Sequence, residues 1–234
     1  MKDKQIDSSR PCALCGGQRK LEQSHVIPQF GYRWAAQAAG KGERSAGPTR
    51  PMLCGECEDL FSSYESEFAR RVFHPLAIRS ILNAKYTAWL RQFAASVCWR
   101  ILEVRVAENQ LRHFKGRWSS ELVSCRDTWR RYLTHQRPDV GEHHLHLLTL
   151  NEIGGAPVPS PFQPTVESEV HCTDAAALVC ARLGPVLLIG LIADPAPREW
   201  QGTRINAEGK LKPRDVVIPA TYRDFILSRA DGPT

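Results

Sequence analysis

Two features of exported and membrane proteins are missing from this 234-residue sequence. The N-terminus, MKDKQIDSSR, carries charges and no apolar core, so it reads as neither a secretory leader nor an anchor. There is also no unbroken apolar run of spanning length. The nearest candidate, AAALVCARLGPVLLIGLIA at positions 175–193, is interrupted by Arg182 and by Gly184-Pro185. Gly-Pro punctuates, and Val, Leu and Ile dominate on both sides, so the stretch predicts two short buried strands joined by a turn. Internal repeats are absent, and the Pro-rich stretch APVPSPFQP is too short to be more than a loop. A hydrophobic content of 42% with 24% charged residues excludes a disordered chain. These absences leave a globular protein with a cytoplasmic setting and no membrane partner.

Charge and cysteine are present and unevenly placed. The formal net charge is +6, and positions 91–137 hold ten Lys or Arg against Glu103, Glu108, Glu121 and Asp127, an excess as large as that of the whole chain. Such a field attracts a nucleic-acid backbone, and an Arg-rich helical face can equally be a solvated surface. In a reducing compartment eight cysteines are expected to be thiols. Cys12, Cys15, Cys54 and Cys57 form two Cys-x-x-Cys pairs, whereas Cys98, Cys125, Cys172 and Cys180 are scattered and read as core residues. Two pairs separated by 38 residues can converge on one tetrahedral zinc. With four protein sulfurs that site is closed, so the zinc is structural.

The expected class is α+β in three parts: a zinc-binding module at 1–75, a basic helical segment at 76–137 and a β-rich domain at 138–234. Phe61, Tyr64, Phe68 and Val72 lie at helical spacing, which predicts a helix starting at or just after Cys57 and ended by His74-Pro75. Ile78, Leu82, Tyr86, Trp89, Phe93 and Val97 extend the pattern into a long amphipathic helix reaching ILEVRVAE, and Trp118 and Trp129 mark a shorter one. The Gly-, Arg- and Ser-rich half of the segment before Pro51 predicts a loop. From about His143, the segments HHLHLLTL, SEVHC, the two apolar runs and DVVIP predict a small sheet, closed by TYRDFILSRA as a terminal helix.

One histidine stands apart. CALCGGQRKLEQSHVIPQF places His25 ten residues after the first cysteine pair, and LCGEC carries the second. The order of Cys-x-x-Cys, His25-Val26-Ile27-Pro28, a loop and a second pair opening a helix resembles the zinc-containing branch of the HNH, or His-Me finger, endonucleases. The resemblance covers Cys12 to about Glu65. It implies a treble-clef-like ββα module, a hairpin packed on a helix, in which His25 is the general base. It also implies that Glu58, directly after the second pair, holds a catalytic Mg²⁺ or Mn²⁺, with Glu22 or Glu65 available to complete its shell. DNA is then the expected partner, through Arg126, Arg130, Arg131 and Arg137, with Trp129 either stacking or in the core. A protein partner for the C-terminal domain is the further expectation.

Two positions depart from that family: Ser24 stands where Asp or His commonly precedes the base, and no Asn lies between His25 and Cys54. Both favour the alternative, a non-catalytic treble-clef module that binds nucleic acid or protein. His143, His144 and His146, with His171 and Cys172, raise a second metal site; on a strand, His144 and His146 share one face and His143 the other, as on an ordinary polar face.

Overall fold

The computed structural model describes residues 10–40, 47–77, 84–110, 114, 117–149, 152–153, 156–157, 166–172, 176–193, 200 and 202–211. Ile78, Leu82, the strand expected at DVVIP and the terminal helix expected at TYRDFILSRA lie outside them.

Near the N-terminus, β1 (Leu21–His25) pairs antiparallel with β2 (Thr49–Cys54), and α1 (Gln29–Ala38) lies in the connection. The register jumps from Glu22 opposite Leu53 to Gln23 opposite Pro51, leaving Met52 as a bulge. A bulge is where a strand tolerates proline, which lacks a ladder donor. The residue left over is used: the Met52 carbonyl accepts the Ala13 N–H at 3.0 Å and ties the first cysteine turn to the hairpin.

Helix α2 (Gly55–Phe68) starts directly from β2, with Cys54 as its N-cap. It buries Cys57, Phe61, Tyr64 and Phe68, the spacing read from sequence. His74-Pro75 does not end it. A π-helical turn (Ala69–Phe73) and a short helix α3 (His74–Ala77) carry the chain onward, and the His74 N–H bonds the Ala69 carbonyl five residues back. Proline clashes with the carbonyl four residues before it and cannot donate; the widened turn just ahead of Pro75 accommodates that break.

The long helix, α4 (Ala88–Ala107), begins later than its apolar pattern predicts, because Tyr86 belongs to β3 (Ala84–Tyr86), paired with β10 (Gly209–Leu211). Nor is α4 amphipathic: every residue from Phe93 to Leu102 is buried, Ser96 and Arg100 included. A helix buried on all sides is a central column. Around it stand α2, with Phe68 and Phe93 stacked at 3.9 Å between centroids, α5 (Arg117–Leu133) and the main sheet.

That sheet is antiparallel, in the order β4 (Leu145–Thr149), β9 (Val186–Ala193), β8 (Ala177–Leu183), β7 (Val166–Cys172). Strands β8 and β9 are the two apolar runs, buried along nearly their whole length and joined at Gly184-Pro185. Gly184 has φ +54°, and a Cβ there would meet the ring of Trp34 at 2.3 Å. Glycine is required by both the turn and the tryptophan over it. Gly190 admits Trp129 in the same way, at 2.4 Å from where a Cβ would stand. Strands β5 (Glu152–Ile153) and β6 (Ala156–Pro157) form a separate small ribbon. The outer edge of β4 is covered by residues 203–205, through Leu147 N–H to the Thr203 carbonyl and Ile205 N–H to the Leu145 carbonyl. The structure is thus a mixed α and β fold, and one buried cluster runs from Cys12 to Ile205. No described helix is long and apolar enough to cross a membrane.

Candidate metal centre and the adjoining histidine

The four paired cysteines meet. Their Sγ atoms all lie within 4.8 Å of one another, and Cys15 and Cys54 are 3.8 Å apart. Four sulfurs at about 2.3 Å from a tetrahedral ion stand about 3.8 Å apart, so the cluster can hold a metal ion of that kind. Local backbone builds it. Gly16, at φ +75°, closes the first turn with its N–H on the Cys12 carbonyl at 2.8 Å, and the Cys12 N–H reaches the Gly17 carbonyl at 2.9 Å. Two amides point at sulfur: Cys54 N–H to Cys12 Sγ at 3.3 Å, and Gly17 N–H to Cys15 Sγ at 3.4 Å. Such donors favour thiolate.

Burial raises the Cys12 thiol above its ordinary range, and burial together with the nearby Cys12 raises Cys57 further. At exposed Cys15 the weaker burial is outweighed by the Gly17 amide and the neighbouring thiols, and the value falls. The remaining cysteines differ in kind. Cys98, Cys125 and Cys180 are buried among apolar residues, with desolvation holding their thiols protonated, while Cys172 is half-buried.

His25 is the last residue of β1, paired with Thr49. Its Nε2 is buried with no hydrogen-bond partner among the described residues, as is Oε1 of Glu58 on the first turn of α2. Helix α2 packs against both strands of the hairpin. An orphaned buried polar atom costs about 1–3 kcal/mol, so two of them in one module call for an explanation. Ser24 points the other way, as alternation along a strand requires. It is fully buried, and its hydroxyl accepts the Leu53 N–H at 3.1 Å, supplying an acceptor next to the bulge. Here the serine holds the hairpin together. Of the two glutamates that might have joined Glu58, Glu65 pairs with Arg100 at 2.6 Å and Glu22 lies 3.7 Å from Lys20. Among the described residues only the four cysteines form a group of three or more metal-ligating side chains.

The arginines proposed for phosphate contact have different surroundings. Arg126 binds Asp127 at 2.7 Å and lies 3.7 Å from Glu103; Arg137 binds Asp139 at 2.9 Å. Arg130 donates to the Leu14 carbonyl at 2.8 Å and so buttresses the first cysteine turn from α5. Arg131 is exposed. Trp129 is fully buried, with its indole N–H on the His143 carbonyl. The histidines around β4 are internal too: His143 Nδ1 contacts the Ile192 carbonyl at 2.7 Å, and His146 Nδ1 contacts Thr203 Oγ1 at 2.9 Å. Desolvation lowers both, His146 to about 4.

The residue that the sequence reading passed over is Arg100. It sits in the basic segment by composition, yet only 1% of its side chain is exposed. A signal was available, since Arg100 is the only charge between Phe93 and Leu102. Comparison with protein-family models, curated proteins and solved structures finds no match for the chain.

Proposed function

We propose that the chain is a zinc-stabilised, HNH-like nuclease that hydrolyses DNA phosphodiester bonds with Mg²⁺ or Mn²⁺. The observation that carries this reading is the pair of buried, unpartnered atoms, His25 Nε2 and Glu58 Oε1, on a hairpin and helix anchored by four clustered cysteines. A tetrathiolate set suits zinc and leaves no open position, which makes the zinc a brace in this treble-clef-like module. His25 in its neutral form accepts a proton from water as that water attacks phosphorus. Glu58 offers a hard carboxylate oxygen for the divalent ion, which would neutralise charge on the phosphate and the departing oxygen. Ser24 takes no part, because its hydroxyl is committed to Leu53.

Glu58→Gln tests the ligand role: it removes a charged ligand and spares the base. Plasmid cleavage by this variant should fall at low Mn²⁺ and recover in part at high Mn²⁺, with zinc content unchanged. Equal cleavage by variant and wild type at every concentration would remove Glu58 from the mechanism.

The second reading, a non-catalytic zinc module that binds nucleic acid or a protein, is favoured by one observation. Among the described residues no group of three or more metal-ligating side chains includes His25 or Glu58. Purified protein that binds DNA but cleaves neither supercoiled nor single-stranded DNA with either ion supports that alternative.

A further inference from the structure

We infer that Arg100, on α4 and outside the cysteine module, is a positioning residue that fixes the backbone at His25. Its consequence for catalysis rests on the nuclease reading above, but the positioning does not.

Each arm of the guanidinium has a separate partner. Nη1 donates to the His25 carbonyl at 2.8 Å, Nη2 to Glu65 Oε1 at 2.6 Å, and Nε to the Ser96 carbonyl of its own helix at 3.3 Å. The group lies 5.3 Å from the centroid of the Phe61 ring. Phe61 and Glu65 both belong to α2, so one planar fork joins α4, α2 and the end of β1. A guanidinium is rigid, and its two Nη donors hold the His25 carbonyl and the Glu65 carboxylate at a fixed separation that a flexible ammonium does not impose.

Stability does not require a charge there. Burying a guanidinium costs several kcal/mol, and an apolar side chain of similar size often serves as well or better, so a buried ion pair is weak evidence of stabilisation. What the pair adds is geometry. His25 ends its strand, where strands fray first. Its Nε2 has no partner among the described residues to fix the ring directly. The place of the imidazole therefore depends on its backbone, and Arg100 holds that backbone against the helix that carries Glu58.

The test uses full-length, zinc-loaded protein labelled with ¹³C at histidine Cε1, with the His25 signal assigned from His25→Ala. Arg100→Lys keeps the charge and loses the fork; Glu65→Gln weakens the clamp from its less deeply buried end, where the side chain is 20% exposed. In both variants zinc should stay near one per chain and the His146 signal should hold its position, while the His25 signal shifts or broadens. If the chain cleaves DNA, kcat for Arg100→Lys should fall roughly tenfold or more with KM within about twofold, the effect of a misplaced group. An unmoved His25 signal in both folded variants, or equal shifts of all histidine signals, overturns the inference. Should Arg100→Lys not fold, Glu65→Gln decides by the same criteria. A chain that cuts no DNA yet shows the selective His25 shift keeps the positioning and rejects the nuclease reading.

Discussion

The cysteine module and the β8–β9 hairpin share one buried core but differ in what is added to it. Strands β8 and β9 bury nearly every side chain, and Cys180 serves there as one more apolar residue. The module at 12–65 adds to its own buried side chains backbone-to-sulfur contacts, a buried serine, an arginine on a turn carbonyl and four clustered thiols. Two buried polar atoms of the module, His25 Nε2 and Glu58 Oε1, have no hydrogen-bond partner among the described residues. Polar atoms kept dry without partners are costly unless a ligand or reaction uses them, and the proposed nuclease centre rests on these two.

The largest expected break in this contrast comes from Cys54→Ser. Binding free energy at a structural zinc site is on the order of 10 kcal/mol and is coupled to folding. The variant should therefore lose its metal, by elemental analysis, and become protease-sensitive around positions 12–65. Cys180→Ala should keep about one zinc per chain. Equal metal loss in both would erase the distinction between the two kinds of cysteine.

Next is the hairpin itself. Leu188 is fully buried on β9, and Leu188→Ala should cost about 2–5 kcal/mol in chemical denaturation while leaving zinc content intact. Loss of zinc along with stability would show that the two regions unfold as one unit.

Acid should act on the sheet through His146. In the unfolded chain a histidine takes up its proton near pH 6.5, whereas burial delays His146 to about 4. Stability is complete above about 6.5 and declines as the pH falls towards 4, by roughly 3 kcal/mol for this one group, since the unfolded state binds the additional proton. His146→Gln should flatten that part of the stability profile, and an unchanged slope would assign the effect elsewhere.

The smallest effects separate Arg130 from Arg131. Arg130→Ala removes the donor to the Leu14 carbonyl and should lower stability by about 1–2 kcal/mol. Arg131→Ala should leave stability within about 0.5 kcal/mol and, if the exposed side chain meets phosphate, reduce the salt dependence of DNA binding by about one counterion. An unchanged salt slope would make Arg131 a solvated residue.

Much of the hairpin and of the thiol cluster was legible because local rules suffice there: Gly-Pro set between apolar runs, and two identical cysteine spacings. Elements that depend on distant partners were not. Tyr86 keeps helical spacing with its neighbours but joins β10, a pairing that a local pattern cannot reveal. Pro75 signals a stop, and the π-helical turn that bypasses it leaves no simple mark in composition. Arg100 and Arg130 looked like surface charge because charge counts carry no information about burial; each instead serves the cysteine module from another helix.

The most direct test of the central claim compares wild type with His25→Ala on supercoiled plasmid in Mg²⁺ and Mn²⁺, at matched zinc content and DNA affinity. Removal of the general base should leave folding, zinc and binding close to wild type and reduce cleavage by about 10²-fold or more. Cleavage by His25→Ala at the wild-type rate would contradict the account and leave the histidine as a structural residue of the hairpin.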